Sequence, residues 1–203
     1  MGSTDTWDNG YPSGGNYWSD YRTSYPSAIE NDSSDTWNTP YNVSSGNFDR
    51  YPLMGQFYTF PGWPWNGTYY VDVVSNSTLS DFSGGISLEN PADKVIRFNV
   101  TGTTGTVGFC RVDIPTNWAS IGTSGYWTVL VGGKLYTNET IITSGNYTYI
   151  YFTYAHSAKT VQITNTYIVP EFQPSMLLPL FMIITLLGAM IIKRKRGDLY
   201  PSP

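Results

Sequence analysis

From Met176 to Ile192 the chain carries seventeen consecutive uncharged residues, MLLPLFMIITLLGAMII, closed by the basic cluster Lys193, Arg194, Lys195 and Arg196. As a helix rising ~1.5 Å per residue, such a run spans about 25 Å, the short end of a bilayer crossing. Ser175 offers a start cap, and Pro179 falls in or just after the first turn, where proline costs least. A core helix of a globular protein would bring a polar residue every third or fourth position, and this one has only Thr185. The sequence therefore predicts a single transmembrane helix over 175–192, with the lipid bilayer as its partner. The positive-inside rule puts the tail 193–203 in the cytoplasm and the body outside the cell. An exported body needs a signal, yet the chain opens Met-Gly-Ser-Thr-Asp-Thr-Trp, without a basic region or an apolar stretch. Either the anchor inserts unaided or the chain is the C-terminal piece of a longer surface protein. The second is the expectation.

Charge supports the outside body and removes several partners. Residues 1–170 hold 7 basic and 13 acidic groups, net −6, so a nucleic-acid partner is not expected. A single Cys (Cys110) and a single His (His156) exclude an intrachain disulfide framework and a His/Cys zinc site. Neither a metal nor a cofactor is predicted. Glycosylation sequons occur at Asn31, Asn42, Asn66, Asn76, Asn99, Asn138 and Asn146, where composition alone gives about three. Thr-rich strand and turn composition accounts for some of that excess, and exported glycoprotein accounts for the rest.

Three zones follow one another along the body. Residues 1–54 are dense in Gly, Asn, Asp, Ser, Trp and Tyr, and lack the aliphatic side chains that fill a core. Aromatic plates here alternate with turn signals such as Asn9-Gly10 and Ser13-Gly14-Gly15-Asn16, as loops packing on something else would. Residues 55–68 read as a Pro/Gly-rich connector. Residues 69–168 read as an immunoglobulin-like β-sandwich, with strands over 69–74, 95–100, 108–114, 127–131, 134–137, 147–154 and 160–164. Gly132-Gly133 marks a two-residue hairpin, and Ala155-His156-Ser157 is expected to turn the longest strand back on its partner. In Gly108–Ile114, Cys110, Val112 and Ile114 share one face, the core face, while Arg111 and Asp113 share the other. Residues 169–174 link the sandwich to the anchor.

The motifs WDNGYPSGGNYWSDY (Trp7–Tyr21), NTPY (Asn38–Tyr41) and DRYPLM (Asp49–Met54) resemble the end of the right-handed parallel β-helix family known as periplasmic copper-binding β-helices. The resemblance implies a mainly β chain whose aromatic segment closes the last coils of a solenoid. The sandwich and the tail resemble the C-terminal half of archaeal surface proteins. Pro170, Glu171 and Phe172, ahead of the helix and Lys193–Arg196, are similar to a PEF-type sorting signal. The coils themselves are absent from this sequence. Copper finds no cluster of soft ligands, since Met176, Met182 and Met190 belong to the anchor, and Met54, Cys110 and His156 lie in separate segments. In Glu30–Asp35, Asp32 and Asp35 lack the glycine spacing of a calcium loop and read as turn-capping carboxylates.

No enzymatic chemistry is predicted. His156 reads as a solvated turn residue, and Asp5, Asp8, Asp20 and Asp49 lack the coils on which β-helix enzymes carry their carboxylates. Two roles survive. One is a membrane-anchored surface protein whose sandwich is a stalk displaying a β-helix region outside the cell, with other surface proteins as partners. The other is carbohydrate binding, with a surface polysaccharide stacking on Trp7, Tyr17, Trp18 and Tyr21. The exposure of those rings separates a packed cap from a sugar platform.

Overall fold

The computed structural model describes residues 5–62, 68–86, 93–121 and 125–166, and these are mainly β-structure. Among them the only helix is the single turn α1, Tyr21–Ser24. Two small ladders lie near the start: β1 (Glu30–Asn31) with β2 (Thr36–Trp37), and β3 (Tyr41–Ser44) with β4 (Asn47–Asp49). Ten strands follow: β5 (Gln56–Pro61), β6 (Tyr70–Ser75), β7 (Thr78–Ile86), β8 (Lys94–Thr101), β9 (Val107–Pro115), β10 (Tyr126–Val131), β11 (Lys134–Tyr136), β12 (Thr140–Ser144), β13 (Tyr147–Ala155) and β14 (Lys159–Thr166). They form two antiparallel five-stranded sheets, ordered β12-β13-β9-β6-β5 and β11-β10-β14-β8-β7.

Alternation along the strands builds the core. Val71 and Val73 on β6, Cys110, Val112 and Ile114 on β9, and Ile150 and Phe152 on β13 point from the first sheet. They meet Ile96, Phe98 and Val100 on β8, Val129 on β10, and Val161 and Ile163 on β14. Each fully buried Val, Ile or Phe adds about 1.5–3 kcal/mol of transfer free energy. Gly132 and Gly133, with φ of 60° and 76°, make the β10–β11 turn in the left-handed region that a β-carbon disfavours.

The seven expected strands all form, and three more join them. Strand β5 lies in the stretch read as a connector and pairs with β6. Strand β7 carries a bulge at Asp81 (φ 53°) and pairs with β8. Strand β12 is the short outer partner of β13. The turn at His156 is not a hairpin. It carries the chain from β13 in the first sheet to β14 in the second.

Strand β9 is covered on both faces. Inward lie Cys110, Val112 and Ile114; outward lie Phe109, Arg111 and Asp113, all buried. The cover is the N-terminal aromatic segment, which packs on the outer face of the first sheet. Leu53 and Met54 sit against Val74, Phe109 and Tyr151, while Tyr21, Ala28 and Trp37 form a separate small cluster with Trp18, Tyr25 and Tyr41. No coil of a β-helix occurs among the described residues; this segment finds its support on the sandwich.

Candidate functional site

The pairing register sets two parallel rows of side chains on the outer face of the first sheet. One row runs Thr59, Asp72, Asp113, Tyr149 across β5, β6, β9 and β13, and the next runs Phe57, Val74, Arg111, Tyr151. The aromatic segment crosses these rows, and Arg111 ties it down. Arg111 Nε and Nη2 donate to the two oxygens of Asp113 at 2.8 and 3.0 Å, and Nη1 donates to Asp35 Oδ1 at 2.7 Å. Its remaining protons go to the carbonyls of Pro12, Ser13 and Ser34 at 2.8, 2.8 and 3.3 Å. All three charged side chains are buried.

Burial works against these charges. Desolvation pushes Asp113 up to about 6, although Arg111 pulls the other way. It pushes Asp35 well above the carboxylate range, against Arg111 and reinforced by Asp113 and Glu30. Arg111 stays firmly protonated: burial opposes its charge, and the two carboxylates more than compensate. Asp35 also holds a left-handed backbone (φ 59°), as do Asp32 and Ser33 at 51° and 52°. Asp35 is therefore an ion-pair partner of the sandwich rather than a turn-capping group.

Beside this tie lies a cleft of about 410 Å³, lined by Asn9, Ser13–Tyr17 and Leu53 from the segment and by Phe57, Asp72, Asp113, Tyr147 and Tyr149 from the sheet. Its floor is the Asp72–Asp113–Tyr149 row. Directly opposed like charges destabilise a sheet, and only Asp113 has the cation. Desolvation raises Asp72, while a hydrogen bond with Thr59 and the charge of Arg111 partly offset it. Asp72 Oδ1 is buried with no hydrogen-bond partner. Three rings stand open to solvent at the rim, Phe57 at 52%, Tyr17 at 43% and Tyr147 at 37% exposure. The Gly14-Gly15 turn roofs it. A β-carbon at Gly14 would meet Leu53 at 2.5 Å, and one at Gly15 would overlap the Asp49 carboxylate. That carboxylate accepts from the backbone N–H of Asn16 and Tyr51 and from Trp18 Nε1.

The four predicted platform residues do not share a face. Tyr21 is buried, stacks on Trp37 with centroids 5.1 Å apart, and donates its hydroxyl proton to the Thr39 carbonyl. Trp18 is half-buried and stacks on Tyr41 at 4.2 Å. Trp7 leans on Trp18 at 6.2 Å and lines a separate hollow of about 690 Å³ with Asp8, Phe48 and Arg50. Tyr17 alone reaches the cleft. The cleft's other rings, Phe57, Tyr147 and Tyr149, escaped sequence reasoning because they read as connector and strand. The signal was present in the alternation Tyr147, Tyr149, Tyr151, which sets three tyrosines on one outward face.

Other candidate groups have structural partners. Asp8 is buried; it accepts from Arg50 Nε and Nη2 and from the backbone N–H of Gly10 and Arg50, each at 3.0 Å. His156 is buried rather than solvated. Its Nε2 lies 2.8 Å from Ser77 Oγ, its Nδ1 bonds Thr106 Oγ1, and its ring edges fill the space left by Gly102 and Gly108. Ser77 Oγ is also 2.8 Å from the Tyr154 hydroxyl, which lies 3.4 Å from Cys110 Sγ. Burial pushes the Cys110 thiol up to about 11, so it is no nucleophile. Among the described residues no group of three or more His, Cys, Asp and Glu is placed to hold a metal.

The sequons differ in freedom. Asn42, Asn138 and Asn146 are exposed. Asn76 is tied across the fold, donating to the Val107 carbonyl at 3.0 Å and accepting from Phe109 N–H at 2.9 Å. Asn99 donates to Asp81 Oδ2 at 2.8 Å and accepts from Thr160. Asn31 is half-buried.

Asn66, the sorting residues Pro170, Glu171 and Phe172, the predicted helix 175–192 and Lys193–Arg196 lie outside the described residues. Within those residues no helix is long and apolar enough to cross a membrane. No family model, curated protein or solved structure matches this chain.

Proposed function

We propose that this chain is a non-enzymatic, membrane-anchored cell-surface protein, a sandwich stalk that carries its aromatic layer outside the cell. The observation behind this reading is the run Met176–Ile192 closed by Lys193–Arg196, an apolar span of bilayer length with a cytoplasmic stop. The acidic body and the exposed sequons agree with it. The immunoglobulin-like character of the stalk rests on its stacked antiparallel sheets, and the sorting role of Pro170, Glu171 and Phe172 on their resemblance to a PEF-type signal ahead of the predicted helix. Deleting 171–203 is expected to move the body from the membrane fraction to the medium. Unchanged membrane association of the shortened chain overturns the anchor.

A second reading, carbohydrate binding outside the cell, is favoured by one observation: open rings rim a cleft whose floor carries the Asp72 side chain.

A further inference from the structure

We propose that the cleft between the Gly14–Tyr17 turn and the outer face of the first sheet is a binding site for a neutral oligosaccharide. The inference rests on the carbohydrate reading and moves its site away from Trp7, Trp18 and Tyr21. Four observations converge on it.

The first is the shape, a cavity of about 410 Å³, within the range of small-molecule sites. The second is the rim. Tyr17, Phe57 and Tyr147 come from three separate elements, and each leaves over a third of its surface in water. Packing the protein gains little from rings left open in this way, whereas the C–H faces of a pyranose would cover them. The third is the floor. An ionised carboxylate only accepts hydrogen bonds, and Asp72 lines the cleft, so its carboxylate offers an acceptor to a donor that enters there. Sugar hydroxyls are such donors.

The fourth observation is the sign of the charge. Arg111, the cation of the floor, is saturated by Asp35, Asp113 and three carbonyls. Among the described residues no cation remains there for a phosphate, sulfate or uronate, and Asp72 repels anions. The hollow at Trp7 is the weaker candidate. Its guanidinium, Arg50, is already bonded to Asp8 at 3.0 Å, although Asp5 also lines the hollow.

The full chain, held in a polyoxyethylene detergent so that no sugar headgroup competes, is tested on an array of neutral and acidic oligosaccharides. Binding to neutral members only is expected. Phe57→Ala and Tyr147→Ala, both changes at exposed rings, are each expected to weaken it roughly tenfold, and Asp72→Asn to weaken it at least as much. Trp7→Ala is expected to leave it unchanged. Circular dichroism checks that each variant keeps its β-signal. Loss with Trp7→Ala and retention in the cleft variants overturns this site while keeping the carbohydrate reading. Failure of the unaltered chain to bind any neutral member overturns both.

Discussion

Arg111 and Asp35 stand 76 residues apart in sequence and meet at 2.7 Å, both out of contact with water. One belongs to the central strand of the first sheet and the other to the aromatic segment above it. The pair is thus a bolt through two layers, and it costs desolvation on both sides. Replacing a buried pair by apolar groups is often neutral, whereas removing one partner strands the other charge.

Arg111→Leu is accordingly expected to destabilise the body by about 3–5 kcal/mol, because it leaves Asp35 and Asp113 buried without a cation. Urea unfolding followed by tryptophan fluorescence measures it. Adding Asp35→Asn to that variant is expected to restore part of the loss. A single-variant loss below about 1 kcal/mol would contradict the bolt.

The same cluster sets a pH dependence. Asp113 and Asp35 both titrate higher in the folded protein than their ordinary value of 3.8. Such groups favour folding fully below the unfolded value, and that contribution disappears as pH rises through the folded one. For Asp113 that loss runs from about 4 to about 6, and Asp35, raised by burial, acts in the same sense. Asp8, lowered by its bonds to Arg50 although burial opposes this, acts in the opposite sense and weakens the fold only in strong acid. The melting temperature is expected to fall between about pH 4 and pH 6 and to fall less steeply in Asp35→Asn. A flat or rising profile over that interval would refute the assignment.

Glycan occupancy should follow hydrogen bonding rather than sequon count. A glycan on Nδ2 is compatible with the open side chains of Asn42, Asn138 and Asn146. At Asn76 and Asn99 it would displace bonds to Val107 and Asp81. In a host that glycosylates exported chains, glycopeptide mass spectrometry is expected to find the first three occupied and the latter two bare. The reverse distribution would count against the local geometry, and seven bare sequons would count against the outside placement.

The legible parts of this fold were those in which a strand carries its own pattern. Cys110, Val112 and Ile114 alternate with Arg111 and Asp113, and the inward face of β9 followed from that alone. Strands β5, β7 and β12 hide because they are outer strands, QFYTFP, TLSDFSGGI and TIITS, held by their neighbours' pairing more than by burial of their own side chains. His156 misled for a related reason. A turn sequence says nothing of Gly102 and Gly108, whose missing β-carbons make room for the ring. Nor could spacing reveal that the outward Arg111 would be roofed by Pro12, Ser13 and Asp35. That requires knowing what the aromatic segment lies on. The cleft was illegible on the same ground, since its lining comes from residues 9–17, 53–72, 113 and 147–149.

The double covering of β9 bears on how such a chain can be inherited. A sandwich passed on by recombination without residues 5–54 would expose Phe109, Tyr151 and Val74 to water and leave Arg111 with Asp113 alone, without Pro12, Ser13, Ser34 and Asp35. The first fifty-odd residues passed on alone would take Asp35 with them and leave its counter-ion behind. The seam at Met54-Gly55 looks like a module boundary in sequence, yet cutting there harms both sides. Lineages that reuse this sandwich should therefore carry its aromatic layer with it, or have replaced Arg111 and Asp113 by apolar residues first.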